Sequence, residues 1–185
     1  MNELPTTART LLESWVRENE AHLVGPVLDV GTTRGERSWI RVDRMTLDAS
    51  PARSPDLVAD LEDLTGLPDG AFGSVICTEV LEHVAHPERA LTELRRVTTP
   101  GGSLLLSVPW IYPFHPCPLD LRRFTLQGLV RVVEETGWTV CHAGGIPIHP
   151  EAHAHLIAAV KLMTGGRCPS ADSLGWSNWV IRATA

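Results

Sequence analysis

Several things are scarce in this 185-residue sequence, and each scarcity excludes a class of protein. Lysine occurs once, at Lys161, and the 16 basic residues are outnumbered by 22 acidic ones, for a formal net charge of −6. A general DNA or RNA binder carries a basic field to neutralise phosphates, so the balance argues against a nucleic-acid partner. The four cysteines, Cys77, Cys117, Cys141 and Cys168, form no C-x-x-C pair, which argues against a zinc knuckle and a thioredoxin-like redox site. A disulfide framework is not expected either, because a chain of this length can bury a core of its own. No stretch approaches the roughly 18 apolar residues of a membrane span, and the N-terminus has neither the basic start nor the apolar run of a signal peptide. These absences lead to the expectation of a soluble cytoplasmic protein with no membrane partner. No repeat or low-complexity segment appears, and 43% hydrophobic with 21% charged residues is an ordinary globular mix. The length suits one domain over residues 1–185.

What is present is an alternation of two patterns. A first amphipathic helix is expected from about Thr6 to His22, within an N-terminal segment 1–24, with Leu11, Leu12, Trp15, Val16 and Leu23 at helical spacing. Gly25-Pro26 stops it. Short apolar runs then follow at 27–30, 45–48, 57–60, 75–80 and 103–109, with further strands expected at 139–144 and 179–185. Helices are expected at 87–97, where Ala90, Leu91, Leu94 and Val97 share a face, and at 126–136, closed by Gly137. Short, fully apolar strands alternating with helices indicate an α/β fold of about seven strands, a mostly parallel sheet with helices on both faces.

Such sheets bind ligands outside the carboxyl ends of their strands. Acidic residues stand at four of those ends: Asp29, Asp48, Asp60 and Glu79. One such residue is ordinarily a loop starter or helix cap; four in succession would line one rim. The first strand runs into Gly31-Thr32-Thr33-Arg34-Gly35, whose two glycines permit a tight turn and a close backbone approach. Asp48, at the end of the next strand, can accept two hydrogen bonds from a ribose diol. The G-x-G-x-x-G pyrophosphate fingerprint is absent, which favours a nucleoside cofactor without phosphate.

Taken together, VLDVGTTRG, LDAS, VADLEDL, PDGAFGSVICTEVLEHV and LRRVTTPGGSLLLSVP resemble, in order and spacing, the motifs of the class I S-adenosylmethionine-dependent methyltransferases of the type-11 group, over about Val27 to Trp138. The resemblance implies a Rossmann-like fold with an antiparallel last strand and S-adenosyl-L-methionine as cofactor. It implies a cofactor set of Asp29, Gly31, Thr33, Gly35, Asp48 at the ribose, Asp60 and Leu61 at the adenine, and Glu79. The chain departs from the pattern in three places. Thr33 replaces the middle glycine of the first motif, Gly73 replaces an Asp that commonly opens the fourth strand, and the helix between Gly35 and Met45 is very short.

The segment PWIYPFHPCPLDLRRFT (109–125) resembles a substrate-side loop of one branch, with His115, Asp120, Arg123 and Thr125 spaced as there and Leu119 where a second His is common. A histidine is suited to taking a hydroxyl proton near neutral pH. His115 is therefore the candidate base, against the alternative of a loop histidine bonding to backbone. Asp120 either orients it or binds substrate, against the alternative of a helix cap or a salt bridge to Arg122 or Arg123. His83, four residues past the fourth strand, is expected to shape the cofactor pocket or face substrate, with Tyr112 and Arg123 as further substrate-binding residues. Trp110 reads equally as pocket wall and as core. The HPEAHAH run with His149, His153 and His155 lacks a completed ligand set, so no metal site is expected. Pro116-Cys117-Pro118 follows the wrong strand for a cytosine methylase. Residues 163–177 read as a flexible loop.

The leading expectation is methyl transfer to a small molecule, with oxygen preferred as acceptor because a base is at hand. A homodimer is compatible with it. Two rival readings are a non-catalytic methyltransferase-like partner, for which Thr33 and Leu119 speak, and an enzyme of the same fold that catalyses another reaction such as a cyclisation.

Overall fold

The computed structural model describes residues 7–33, 35–116, 119–147 and 176–185, together with the isolated positions 154, 158 and 163. Seven strands form one sheet: β1 (Val27–Val30), β2 (Arg44–Asp48), β3 (Leu57–Val58), β4 (Phe72–Thr78), β5 (Thr98–Pro109), β6 (Thr139–Pro147) and β7 (Trp176–Thr184). Their order is β3-β2-β1-β4-β5-β7-β6. The first five run parallel, and β7 is antiparallel to both β5 and β6, as expected for the last strand. The strand order reverses between β1 and β4, which is where sheets of this kind open a crevice at their carboxyl ends.

Helices cover both faces because alternate strand residues point to opposite sides and both sides are apolar. Leu28 and Val30 of β1, Val75 and Cys77 of β4, and Leu104 and Leu106 of β5 face α2 (Pro87–Val97) and α3 (Leu126–Glu135). α2 contributes Ala90, Leu91, Leu94 and Val97, all fully buried, and α3 contributes Leu129 and Val133. Each fully buried leucine stabilises the fold by roughly 1.5–3 kcal/mol relative to exposure. Val27, Ile76 and Leu105 point the other way, against Val16 of α1 (Thr7–Glu18) and Leu23. Pro87 starts α2, where its missing N–H is not needed. Thr125 caps α3 by accepting from Gly128 N at 3.1 Å.

Departures from the sequence-based boundaries have local causes. α1 ends at Glu18, and residues 20–22 form a separate 3-10 turn, because Asn19 folds its side-chain amide back onto the Trp15 carbonyl at 2.9 Å. β5 begins at Thr98, well before residue 103, because the chain stays paired through a bulge at Pro100-Gly101-Gly102. Gly101 takes φ +78 there and donates to the carbonyl of Ala185, while Ala185 N donates back to Gly102 O. Gly73 has a packing reason: a Cβ would lie 2.5 Å from the carbonyl oxygen of Val24. Between Gly35 and Arg44 the chain makes turns and no helix, with Arg37 at φ +50. The loop expected at 163–177 is bounded differently, since Met163 is helical and Trp176 and Ser177 open β7. Its remaining positions, the HPEAHAH run apart from Ala154, and Cys117-Pro118 lie outside the described residues. None of the helices in the described residues is long and apolar enough to cross a membrane.

Candidate active site

The ends of β1, β2, β4 and β5 meet along one rim. Gly31, directly after β1, adopts φ +74 and donates its N–H to Leu47 O at 2.7 Å. A Cβ there would come within 2.7 Å of Val80 Cγ2, so both the conformation and the packing require glycine. Gly35 differs: nothing lies within 4 Å of where its Cβ would be. Thr33 is half-buried and its carbonyl accepts from Glu36 N at 3.1 Å, closing the turn.

Asp48 ends β2. One carboxylate oxygen accepts from Ser50 N at 2.8 Å, and the other pairs with Arg53 Nε at 3.0 Å. Arg53 also reaches Gly31 O, at 3.3 Å, so this half-exposed side chain spans the two positions expected to receive the cofactor. Asp60 lies two residues beyond the short β3, exposed, with one oxygen holding Glu62 N at 2.9 Å; Leu61 beside it is buried. A strand-end carboxylate beside a left-handed glycine turn fits the diol and backbone contacts of an adenosyl group, and Arg53, held only at the surface, can yield its place.

Two residues of the expected cofactor set have other duties. Asp29 is fully buried. Its oxygens accept from Arg37 Nη1 at 2.6 Å and from Arg44 Nη1 at 2.7 Å. Arg37 continues to Thr78 Oγ1 at 2.6 Å and to Glu13 at 3.0 Å. Burial works against the Arg37 charge, but Asp29 and Glu13 outweigh it and hold its pKa above the ordinary arginine value. This closed cluster of two arginines and two carboxylates stands on the α1 face, beside the segment that has no helix. Glu79, at φ +55 just past β4, accepts from Ser107 Oγ at 2.6 Å and Asn178 Nδ2 at 2.7 Å, tying β4 to β5 and β7. Burial raises its pKa. Asp29 and Glu79 thus brace the rim, and their carboxylates are turned to the protein.

The loop after β5 folds back onto the loop after β4. Asp120 has a side chain only 2% exposed and is gripped by both terminal nitrogens of Arg123. It also accepts from His115 N at 3.1 Å and stands 3.2 Å from His115 Nδ1. The Arg123 hydrogen bonds hold its carboxyl well below the usual carboxylate range. His115 Nδ1 is also 3.1 Å from Pro113 O. Because both neighbours only accept, Nδ1 is the nitrogen placed to donate, which leaves Nε2 for the lone pair in the neutral ring. His83 is set the same way: its Nδ1 faces the carbonyl of Leu119, the residue standing where a second histidine was expected. The two rings meet edge to face with centroids 5.2 Å apart, and Tyr112 stacks edge-on against His115 at 5.1 Å. Arg123 reaches the Tyr112 carbonyl at 3.3 Å. Trp110 packs beside Trp179, with centroids 5.7 Å apart.

Between the histidines stands Glu82, which the sequence reading passed over. It is fully buried, and neither carboxylate oxygen has a hydrogen-bond partner among the described residues. Its Oε1 lies 3.6 Å from His83 Nε2 and 3.9 Å from His115 Nε2. Burial, followed by the neighbouring Glu79, pushes its pKa up to about 8. Glu82, His83, His115, Asp120 and Arg123 thus form one connected polar group where the segments after β4 and β5 meet. A His–carboxylate pair with a free Nε2 can accept a proton, and a buried acid beside it can hold one. The adjacent Glu82-His83 was the available sequence signal; its meeting with the 119–121 segment, whose Leu121 N donates to Glu82 O at 2.9 Å, was not visible there.

Comparison with known proteins agrees with the fold. The family profile described as "Methyltransferase domain" matches residues 30–106. The ubiquinone/menaquinone biosynthesis C-methyltransferase UbiE of Burkholderia orbicola is 35% identical over 86 residues, 46% of this chain and 35% of that protein. The chain thus aligns with only about a third of the length of that curated relative. Among solved structures, a SAM-dependent methyltransferase from Archaeoglobus fulgidus superposes with TM-score 0.70 at 14% identity, covering 95% of this chain and 94% of that one. The 1,6-didemethyltoxoflavin-N1-methyltransferase of Burkholderia thailandensis, solved with 1,6-didemethyltoxoflavin and S-adenosylhomocysteine, gives 0.66 at 15% identity, covering 94% and 77%. The [4+2]-cyclase SpnF gives 0.65 at 16%, covering 99% and 85%. At these identities the structural likeness is one of fold.

Proposed function

We propose that the chain is a class I S-adenosylmethionine-dependent methyltransferase, a reading supported by the methyltransferase-domain match over residues 30–106 and by the fold, and that it transfers the cofactor's methyl group to a hydroxyl of a small molecule held against His115. The observation that carries this reading is the His115–Asp120–Arg123 chain at the same sheet rim as Gly31 and Asp48. The family match ends at residue 106, before the loop that bears His115, so the relatives leave the acceptor open and the loop's own chemistry has to decide it.

When bound, S-adenosylmethionine supplies a methyl group on a positively charged sulfur. The residues of this chain do the rest. The Gly31 turn admits a close backbone contact, Asp48 accepts the ribose hydroxyls, and Asp60 with Leu61 borders the adenine. His115 Nε2 would take the acceptor's hydroxyl proton as that oxygen gains the methyl group, whose bond to sulfur breaks to leave S-adenosylhomocysteine. Asp120, kept ionised by Arg123, steadies the imidazolium that results, as a buried carboxylate does for a histidine base. Much of the acceleration comes from holding acceptor and methyl in line.

The test is release of S-adenosylhomocysteine from chelator-treated protein across a panel of phenols, catechols and hydroxylated sugars. With the accepting compound, His115→Gln lowers kcat by about 10²–10⁴-fold and leaves cofactor affinity within twofold. An unchanged kcat removes His115 from the chemistry, and turnover only on amines or carbon acids removes the hydroxyl.

A further inference from the structure

A buried carboxylate without a partner is a costly arrangement, and among the described residues both oxygens of Glu82 are in that state. Around it the structure prepares two imidazole lone pairs. His83 Nδ1 is spoken for by the Leu119 carbonyl, and His115 Nδ1 by Asp120 and the Pro113 carbonyl, and each Nε2 lies within 4 Å of Glu82 Oε1. One ligand atom from each of Glu82, His83 and His115 lies within 4.8 Å of the other two. Two ligands about 2.1 Å from a tetrahedral zinc ion stand about 3.4 Å apart. The 3.6 and 3.9 Å separations to Glu82 Oε1 therefore need to close by only a few tenths of an ångström. The outer contacts also have the form found behind metal-bound histidines, where the remote nitrogen donates to a carboxylate or a backbone carbonyl.

From this geometry we infer that Glu82, His83 and His115 bind one divalent first-row transition cation. Two imidazole nitrogens and one carboxylate suit zinc, iron(II), cobalt(II) or nickel(II); magnesium and calcium favour sets made of oxygen. Three protein ligands leave at least one position for water or for a ligand oxygen. The inference does not rest on the methyl-transfer reading. It competes with one part of it, because the His115 lone pair that binds an ion is the one a free base uses.

The probe is zinc chloride added to chelator-stripped full-length protein in millimolar magnesium, followed by calorimetry, with cobalt(II) absorption as a second readout. The inference predicts one zinc per chain. It predicts cobalt(II) d–d bands without a thiolate charge-transfer band, and at least tenfold weaker binding in both Glu82→Gln and His83→Ala. A His149→Ala, His153→Ala, His155→Ala triple variant binds as the parent does, which separates this cluster from the other histidine-rich stretch. Circular dichroism of each variant confirms that it is folded, and Asp120→Asn, which leaves all three ligands in place, gives a milder loss if Glu82→Gln does not fold. Absence of zinc binding by the parent overturns the inference. So does binding that survives Glu82→Gln and His83→Ala undiminished, or that disappears in the triple variant.

Discussion

Replacing Arg37 with methionine removes the centre of the polar cluster on the α1 face while keeping a side chain of comparable length. Arg37 has 5% of its side chain exposed and bonds Asp29 at 2.6 Å, Thr78 at 2.6 Å and Glu13 at 3.0 Å. After the change, Asp29 keeps Arg44 on one oxygen and has nothing on the other, at a position with no access to water. Glu13, with 29% of its side chain exposed, can rehydrate and adds little. Breaking a buried ion pair from one side destabilises by about 3–5 kcal/mol. For a domain of this size each kcal/mol moves the midpoint by about 2–4 °C, so Tm should fall by roughly 6–20 °C. Thermal unfolding followed by circular dichroism reads this directly, and urea unfolding with an unchanged slope confirms that stability is what changed. The Asp29→Asn, Arg37→Met double variant should lose less than the sum of the singles, because the groups share one network. A Tm within about 2 °C of the parent for Arg37→Met would show that the buried ion pairs do not hold this face of the sheet together, and the reasoning would fail.

Three further outcomes follow from single features. Gly31→Ala places a side chain at φ +74 and against Val80, and should both lower stability by at least about 1–2 kcal/mol and weaken S-adenosylhomocysteine binding; wild-type affinity would separate the turn from the cofactor. Arg53→Ala frees Asp48 and should tighten cofactor binding by up to about fivefold, the worth of an exposed ion pair, whereas weaker binding would make Arg53 a ligand. Cys77 is buried and its thiol is pushed up by burial, so native alkylation followed by peptide mass spectrometry should modify the exposed Cys141 and spare Cys77; labelling of Cys77 at the rate of Cys141 would contradict the packing of β4.

The fold was largely legible because its signals are local. The α2 limits could be read from Pro87 and the spacing of Ala90, Leu91, Leu94 and Val97, and both ends coincide with the helix observed. The strands were legible as short apolar runs, down to the antiparallel last one implied by the family resemblance. What escaped depends on contacts between distant segments. Nothing near Asp29 in sequence says that Arg37 and Arg44 will close on it, since that requires the chain to turn without a helix after Gly35. Glu82 sat unremarked inside an expected signature because the groups it meets, His115 and the Leu121 amide, lie more than thirty residues later. The branch pattern suggested that a second histidine was missing at Leu119; in the fold His83 stands beside that residue, its Nδ1 against the Leu119 carbonyl.

Calorimetric titration of the full chain with S-adenosylhomocysteine, beside Asp48→Ala, tests the central claim most directly. The account predicts one binding event per chain, weakened about ten- to a hundredfold in the variant, as expected for hydrogen bonds to a carboxylate worth about 1.5–3 kcal/mol. No binding by the folded parent, or equal affinity in Asp48→Ala, would contradict it.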